Sequence, residues 1–309
     1  MSSPLVSVCM PVYNGSNYIE RALDCISAQT FQDYELLITA NVSTDNTREI
    51  VERRAKDDPR IRYVLNETNI GAAENYNLGF HLARGKYLKW FAHDDEILPN
   101  FLEKLVEILD SNPDTVLAFC PSDLIDGDST RLGPALPDIG EVTFDTPLER
   151  FRYALHNADR CHPFFGLFRH DALAKTSRLR SYYSSDRALL AEVLLLGRLR
   201  YSFETKFMNR AHAEQSIKIL NRKQRSIWQS GVESSSRSLE KLQFYKHLLE
   251  IVDRHATIKE RGKLRRVVFG SFFRFKEIGR FSFELAQMVA PGPSLWLFRH
   301  VQRIRRKSV

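Results

Sequence analysis

Along the first 120 residues, compact apolar runs alternate with stretches whose apolar positions recur at helical spacing. Residues 5–10 (LVSVCM) form a short run rich in Val and Leu, which predicts a buried strand. The run breaks at Pro11-Val12-Tyr13-Asn14-Gly15, where Pro, Asn and Gly demand a turn. Tyr18, Ile19, Ala22, Leu23 and Ile26 then share one helical face. The alternation continues with a strand at 35–39, a helix to about Lys56 with Ser43 or Thr44 as its N-cap, and a strand at 61–65. A helix at 72–83, a strand at 87–91, an amphipathic helix from Pro99 to Leu109 and a strand at 115–120 complete the series. Strands alternating with helices predict an α/β fold, a Rossmann-like and mostly parallel sheet flanked by helices.

Beyond residue 120 the pattern loosens. Pro, Gly and Asp are dense over 121–143, which reads as a long surface loop or lid. A helix at 148–155 and a strand at 164–168 follow, then a helix at 186–196 opened by Ser184-Ser185-Asp186, and a strand at 199–203. Residues 221–255 are highly charged and helical, with a serine-rich patch at 234–238. There is no internal repeat.

In a sheet of this kind ligands gather at the carboxyl ends of the strands. That rule brings residues 11–14, 40–45, 69–71 and 93–95 to one edge, and there the apolar strand 87–91 stops at adjacent carboxylates, Asp94 and Asp95. Paired carboxylates repel, so a site that keeps both ionised supplies strong donors or a cation. Hard oxygen ligands suit Mg2+ or Mn2+, with a phosphate completing the shell. The competing reading is a helix N-terminus, with the acids complementing the dipole of the helix after Pro99. Four polar loops on one rim favour the site. Neither a GxGxxG after the first strand nor a GxxxxGK[ST] is present, which argues against a dinucleotide fold and a P-loop.

Charge changes the picture at one end. Residues 251–309 hold 14 Lys/Arg against 4 Asp/Glu, whereas residues 1–250 hold 31 against 34, so the net charge of +7 belongs to the tail. Its end, residues 294–307 (SLWLFRHVQRIRRK), mixes aromatic and basic residues in the manner of segments that lie on anionic bilayers, and so does VVFGSFFRFK at 267–276. A helix packed on the preceding domain is the alternative, and nucleic acid is not an expected partner. Cys9, Cys25, Cys120 and Cys161 show no metal-ligand or CxxC spacing, and free thiols in a reducing compartment are expected. The opening MSSPLVSVCMPVYN has neither a basic leader nor a long apolar run, so the expected location is cytoplasmic, peripheral on the inner face of the membrane at most.

Read in order, VSVCMPVYNG (6–15), Ala28-Gln29-Thr30-Phe31, Asp33-Tyr34-Glu35-Leu36, Ser43-Thr44-Asp45-Asn46-Thr47, Asn69-Ile70-Gly71, Asn77, Ala83-Arg84-Gly85-Lys86-Tyr87 and Asp94-Asp95 resemble glycosyltransferase family 2. These are inverting nucleotide-sugar enzymes of the GT-A fold, and the resemblance is close over 5–120 and fair to about 216. It implies a GT-A domain over 1–216, with a nucleotide-binding half (1–120) and an acceptor half (121–216), followed by a helical extension at 217–309. It implies a metal-dependent transfer of a sugar from a nucleotide diphosphate donor, expected to be a UDP-sugar, to a saccharide or lipid-linked hydroxyl, as in cell-surface polysaccharide synthesis. By the same resemblance Asp95 is the direct ligand of Mn2+ or Mg2+, and Asp94 lies nearer the ribose or the metal-bound water. Tyr13 packs on the base above Pro11, and Asn41 and Asn77 belong to the nucleotide site. Asp186 is the general base that an inverting displacement needs. Arg210-Ala211-His212, with Ser216 beyond, matches the element that closes the site, His212 completing the metal shell.

The chain departs from the family pattern at three places. Ala40 stands where an acid is usual, Tyr76 where an Arg is common, and Gln224 is followed by Arg-Ser-Ile-Trp rather than by the QxxRW element of processive synthases. The last departure argues against synthesis of a long polymer. Ala40 and Tyr76 support the alternative of a catalytically impaired nucleotide-binding or scaffold protein. A nucleotidyltransferase is disfavoured because PVYNGSNY lacks the Lys or Arg of its usual basic loop.

Overall fold

The computed structural model describes residues 3–136, 139–213, 215, 219, 221–232, 239–289 and 294. The serine-rich patch, Ser216 and, apart from Ser294, the segment 294–307 lie outside them. The first two apolar runs become β1 (Val6–Val12) and β2 (Tyr34–Ala40), buried at every residue, as strands covered on both faces must be. With β3 (Ile61–Leu65), β4 (Tyr87–Trp90), β6 (Thr115–Phe119), β9 (Leu167–Arg169) and β10 (Arg198–Tyr201) they form a seven-stranded sheet in the order β10-β6-β9-β4-β1-β2-β3. Only β9 runs antiparallel to its neighbours. Helices α1 (Ile19–Ser27), α2 (Thr47–Asp57), α3 (Gly71–Leu82) and α4 (Phe101–Ser111) alternate with these strands. The ends of β1 and β2 are level, with Val12 paired to Ala40, so their loops emerge side by side.

Residues 121–143 are not a structureless lid. They contain β7 (Ser122–Ile125) and β8 (Arg131–Pro134), an antiparallel hairpin that joins β5 (Glu96–Ile97) and β11 (Phe207–Arg210) in a second, four-stranded sheet. The dense Asp and Gly are turn chemistry, since the Asp126 carboxylate accepts the N–H groups of Asp128 and Thr130. The strand expected at 164–168 begins only at Leu167. Before it the chain forms a 3-10 turn (His162–Phe165), entered through Cys161 in the left-handed region (φ 59) and stiffened by Pro163. Helix α2 starts at Thr47 rather than after Ser43 or Thr44, with Asp45 Oδ1 accepting the Thr47 N–H (3.1 Å).

Residues 144–196 supply α5 (Pro147–Asn157), α6 (His170–Ala174) and α7 (Ser185–Leu196). The charged stretch 221–255 divides into α8 (Arg222–Ser230) and α9 (Glu240–His255), followed by α10 (Ile258–Phe272) and α11 (Phe275–Val289). These last helices pack on the body: α8 on α3, α9 on α7, α10 on α5, and α11 on α9. The α8 contact is backbone to backbone. A Cβ on Gly231 would sit 2.0 Å from the Asn69 carbonyl, and one on Gly71 would sit 2.5 Å from the Gln229 carbonyl. All four cysteines are free thiols, and Cys9, Cys120 and Cys161 are buried. Among the described residues no helix is long and apolar enough to cross a membrane.

Candidate active site

The loops after β1 and β2 are stitched together by short polar side chains. The Asn14 N–H donates to Ser43 Oγ (3.0 Å), Gly15 N–H to Thr47 Oγ1 (2.8 Å) and Ser16 N–H to Asp45 Oδ2 (3.0 Å), while Asn14 Oδ1 accepts the Thr44 N–H (2.8 Å). Burial pushes the Asp45 carboxyl up, but the bonds from Thr47 and Ser16 prevail and bring it to about 2. This lattice leaves Tyr13 at the rim with 43% of its surface exposed, while Pro11 is buried beneath in β1. Gly15 lies against the ring of His93, which brings the first loop onto the acidic turn after β4.

At that turn the two carboxylates part company. Asp94 Oδ2 meets His212 Nε2 at 2.8 Å, across 118 residues of sequence. Asp95 is 2% exposed, and its Oδ1 accepts from Asn209 Nδ2 (3.0 Å) and from the Arg210 N–H (2.9 Å) of β11. Burial raises the Asp94 carboxyl, but the His212 contact and the charges of His93 and His212 bring it below its ordinary value. Burial and the neighbouring Asp94 charge push Asp95 well above its own, against Arg210, Lys89 and Asn209. Among the described residues no three His, Cys, Asp or Glu side chains are grouped to hold a metal ion. Only Asp94 and His212 meet directly, and a carboxylate with an imidazole suits in chemistry Mg2+ or Mn2+ bound through few protein ligands, the remaining positions falling to water and substrate phosphate.

Two residues without an assigned role organise this turn. Arg210 is fully buried; its Nε donates to the Asp94 carbonyl (2.7 Å), Nη1 to the carbonyls of Asp126 and Gly127, and Nη2 to Glu96 and Ser129 Oγ. One guanidinium thus ties the acidic turn to the β7–β8 hairpin. Lys89, two residues from the end of the apolar run, is fully buried, donates to the Phe165 carbonyl and lies over the rings of Phe91, Phe101 and Phe207. Burial lowers its ammonium to about 7. The Arg-x-His spacing marked Arg210; nothing in the run YLKWF marks the lysine as buried.

The asparagines serve the scaffold. Asn41 Oδ1 accepts from Asn66 Nδ2 (3.0 Å) and the Ile70 N–H (3.2 Å), fixing the loop before α3. Asn77 clamps the backbone of Leu179, donating to its carbonyl (2.9 Å) and accepting its N–H (3.2 Å), which fastens α3 to the segment that leads into α7. Ala40, at the end of β2, is 1% exposed.

Asp186 stands in the first turn of α7, after Ser184, which is left-handed (φ 74) and makes no cap bond. A strained residue at this point is held in place by its surroundings. Asp186 Oδ1 accepts the Arg187 N–H (2.9 Å), and burial raises its carboxyl, against that bond and one from Cys161. Burial pushes the Tyr76 phenol up, and the charges of Asp94, Asp95 and Asp186 add to the shift. Tyr76 rests edge-on against Trp90 and Phe164, with centroids at 6.3 and 5.5 Å.

The model of the family described as Glycosyl transferase family 2 matches residues 7–176. An uncharacterized glycosyltransferase of Rickettsia prowazekii (strain Madrid E), RP339, is 38% identical over 138 residues, 44% of this chain and 42% of that protein. The chain thus spans less than half the length of this curated relative. Among solved structures, S. aureus TarS 1-349 in complex with UDP-GlcNAc superposes with a TM-score of 0.60 at 17% identity, over 87% of this chain and 73% of that one. The mannosyltransferase PcManGT from Pyrobaculum calidifontis, in complex with GDP-Man and Mn2+, gives 0.52 at 15% identity, over 98% and 81%. At these identities the likeness is one of fold.

Proposed function

The chain belongs to glycosyl transferase family 2, with the GT-A fold, and from that premise we propose that it moves a sugar from a UDP-sugar to a hydroxyl of a saccharide or lipid-linked acceptor, with inversion and with Mn2+ or Mg2+. The observation that supports this reading is the contact between Asp94 and His212 at the carboxyl end of β4, with Tyr13 exposed on the loop after β1. Tyr13 offers the base a face to stack on, with Pro11 setting the backbone beneath. Asp94, Asp95 and His212 would hold the cation, which supplies positive charge to the departing nucleoside diphosphate. Arg210 fixes the turn that carries both acids, and Asn77 fixes the segment that carries the base.

Asp186 takes the proton of the acceptor hydroxyl as its oxygen bonds to the anomeric carbon. The bond from that carbon to the diphosphate oxygen breaks on the opposite face, which inverts the centre. Its raised carboxyl suits the task, since a carboxylate away from bulk water is the stronger base. Asn41 belongs to this scheme through the loop it holds, and base selection falls to Tyr13 and the backbone.

Thermal unfolding with a panel of nucleotide sugars, with and without Mn2+, tests the proposal. UDP-sugars should raise the midpoint when Mn2+ is present. A panel that gives no shift with any nucleotide sugar, in either condition, overturns it.

A further inference from the structure

A groove of about 600 Å3 runs between α5 and α10, away from the rim of the sheet. Leu148, Arg152 and His156 recur four residues apart on α5, while Lys263, Arg266, Val267 and Gly270, with Arg274 beyond, share a face of α10. Arg152 on α5 thus faces Lys263, Arg266 and Arg274 across a floor that includes Leu148 and Val267. A Cβ at Gly270 would meet nothing within 4 Å, so the floor is open.

Elsewhere on these helices arginines have partners: Arg150 donates to four backbone carbonyls, and Arg261 and Arg265 pair with Asp253. In the groove Arg152, Lys263, Arg266 and Arg274 make no ion pair with a carboxylate of the described residues; Arg274 donates only to the His156 carbonyl (3.2 Å). The cluster raises its own energy, and burial together with the charges of Arg274, Arg152 and Arg187 holds the His156 imidazole below its ordinary value. Phe269 and Phe273, 55% and 70% exposed, lie beside Arg266 and Arg274 in the chain.

We propose that the α5–α10 face docks on an anionic bilayer, the groove cations taking lipid phosphates while Phe269 and Phe273 enter the interface. Charge complementarity selects this occupant. Uncompensated cations ask for several anions at once, and exposed aromatic rings beside them gain only from an apolar phase. The residues of this face lie outside the stretch 294–307 in the sequence, and the assignment does not depend on the identity of the donor.

The test is flotation of the full chain with vesicles of phosphatidylglycerol and phosphatidylcholine, alongside Lys263→Glu/Arg266→Glu and Phe269→Ser/Phe273→Ser variants. All four positions are exposed or line the open groove, so thermal unfolding midpoints and UDP binding should stay at the parent's values. The parent should bind anionic vesicles only, and either double variant should lose at least about ten-fold in affinity. Equal binding to both lipids, or full binding by the charge-reversal variant, overturns the proposal. So does saturable binding of inorganic phosphate that releases the protein from vesicles, which would make the groove a free-phosphate site. A concentration-dependent dimer that the same variants abolish would assign the face to a second copy instead.

Discussion

Arg187 of α7 and Glu277 of α11 meet at 2.8 Å with 5% and 3% of their surfaces exposed, so α11 reaches an ion pair one residue from the candidate base. The guanidinium also donates to the Leu155 carbonyl, and Lys241 donates to the second Glu277 oxygen. Burial lifts the Glu277 carboxyl, and Arg187 and Lys241 overcome it, down to about 2. Truncating one partner of such a pair strands the other without solvent. Glu277→Ala should lower stability by about 3–5 kcal/mol in urea unfolding. A change below 1 kcal/mol would mean that water reaches Arg187.

Asp186→Asn keeps the side chain's shape but removes its basicity. Donor binding should stay within two-fold while turnover falls by roughly 10²- to 10⁴-fold. Parallel calorimetry with UDP and a transfer assay separate the two, and turnover close to the parent's would leave Asp186 as helix surface.

Asp95 lies on the turn after β4, at the rim where the loops gather, yet it is not solvated there. It is buried and accepts two N–H groups, so alanine should cost about 1–3 kcal/mol for each donor left bare. Asp95→Asn retains an acceptor for the Arg210 N–H and should unfold within about 1 kcal/mol of the parent. His212→Ala should weaken Mn2+-dependent UDP binding by about 10-fold or more. If metal dependence is the same in all three variants, the cation lies elsewhere.

Lys89 makes stability depend on pH with a definite sign. Its pKa is 10.5 in the unfolded chain and about 7 in the fold, so between those values the unfolded state binds more protons and stability rises with pH. The contribution is complete above 10.5 and is lost as pH falls toward 7. From pH 7 to 9 the parent should gain up to about 1.4 kcal/mol per unit relative to Lys89→Met. Identical pH profiles for the two would show that the ammonium keeps its proton in the fold.

The parallel sheet was legible because its strands are continuous apolar runs bounded by turns, and the register that levels Val12 with Ala40 follows from strands of similar length. The β7–β8 hairpin was not, since Asp123 at its centre reads as loop until its partners, Arg131 and Lys206, are seen to neutralise it. Asp94, Asp95 and His212 were legible as chemistry, but the contact joining Asp94 to His212 spans 118 residues and no local pattern announces it. Asn41 and Asn77 show the opposite limit. An amide has the same letter whatever it meets, and the sequence did not announce that Asn41 holds the Ile70 N–H or that Asn77 clamps Leu179.

Gly71 and Gly231 touch through bare backbone, and that contact sets an order of events during synthesis. A chain emerging from the ribosome can pair β1, β2 and β3 early, because their partners are near in sequence. The loop at 69–71 meets its last neighbour only when residue 231 has appeared, 160 positions after Gly71. Until then the Asn69 carbonyl lacks this neighbour, and the loop before α3 stays unfinished. A nascent or truncated chain that stops near residue 216 would carry every candidate site residue named here and still lack the backbone that packs on the loop at 69–71.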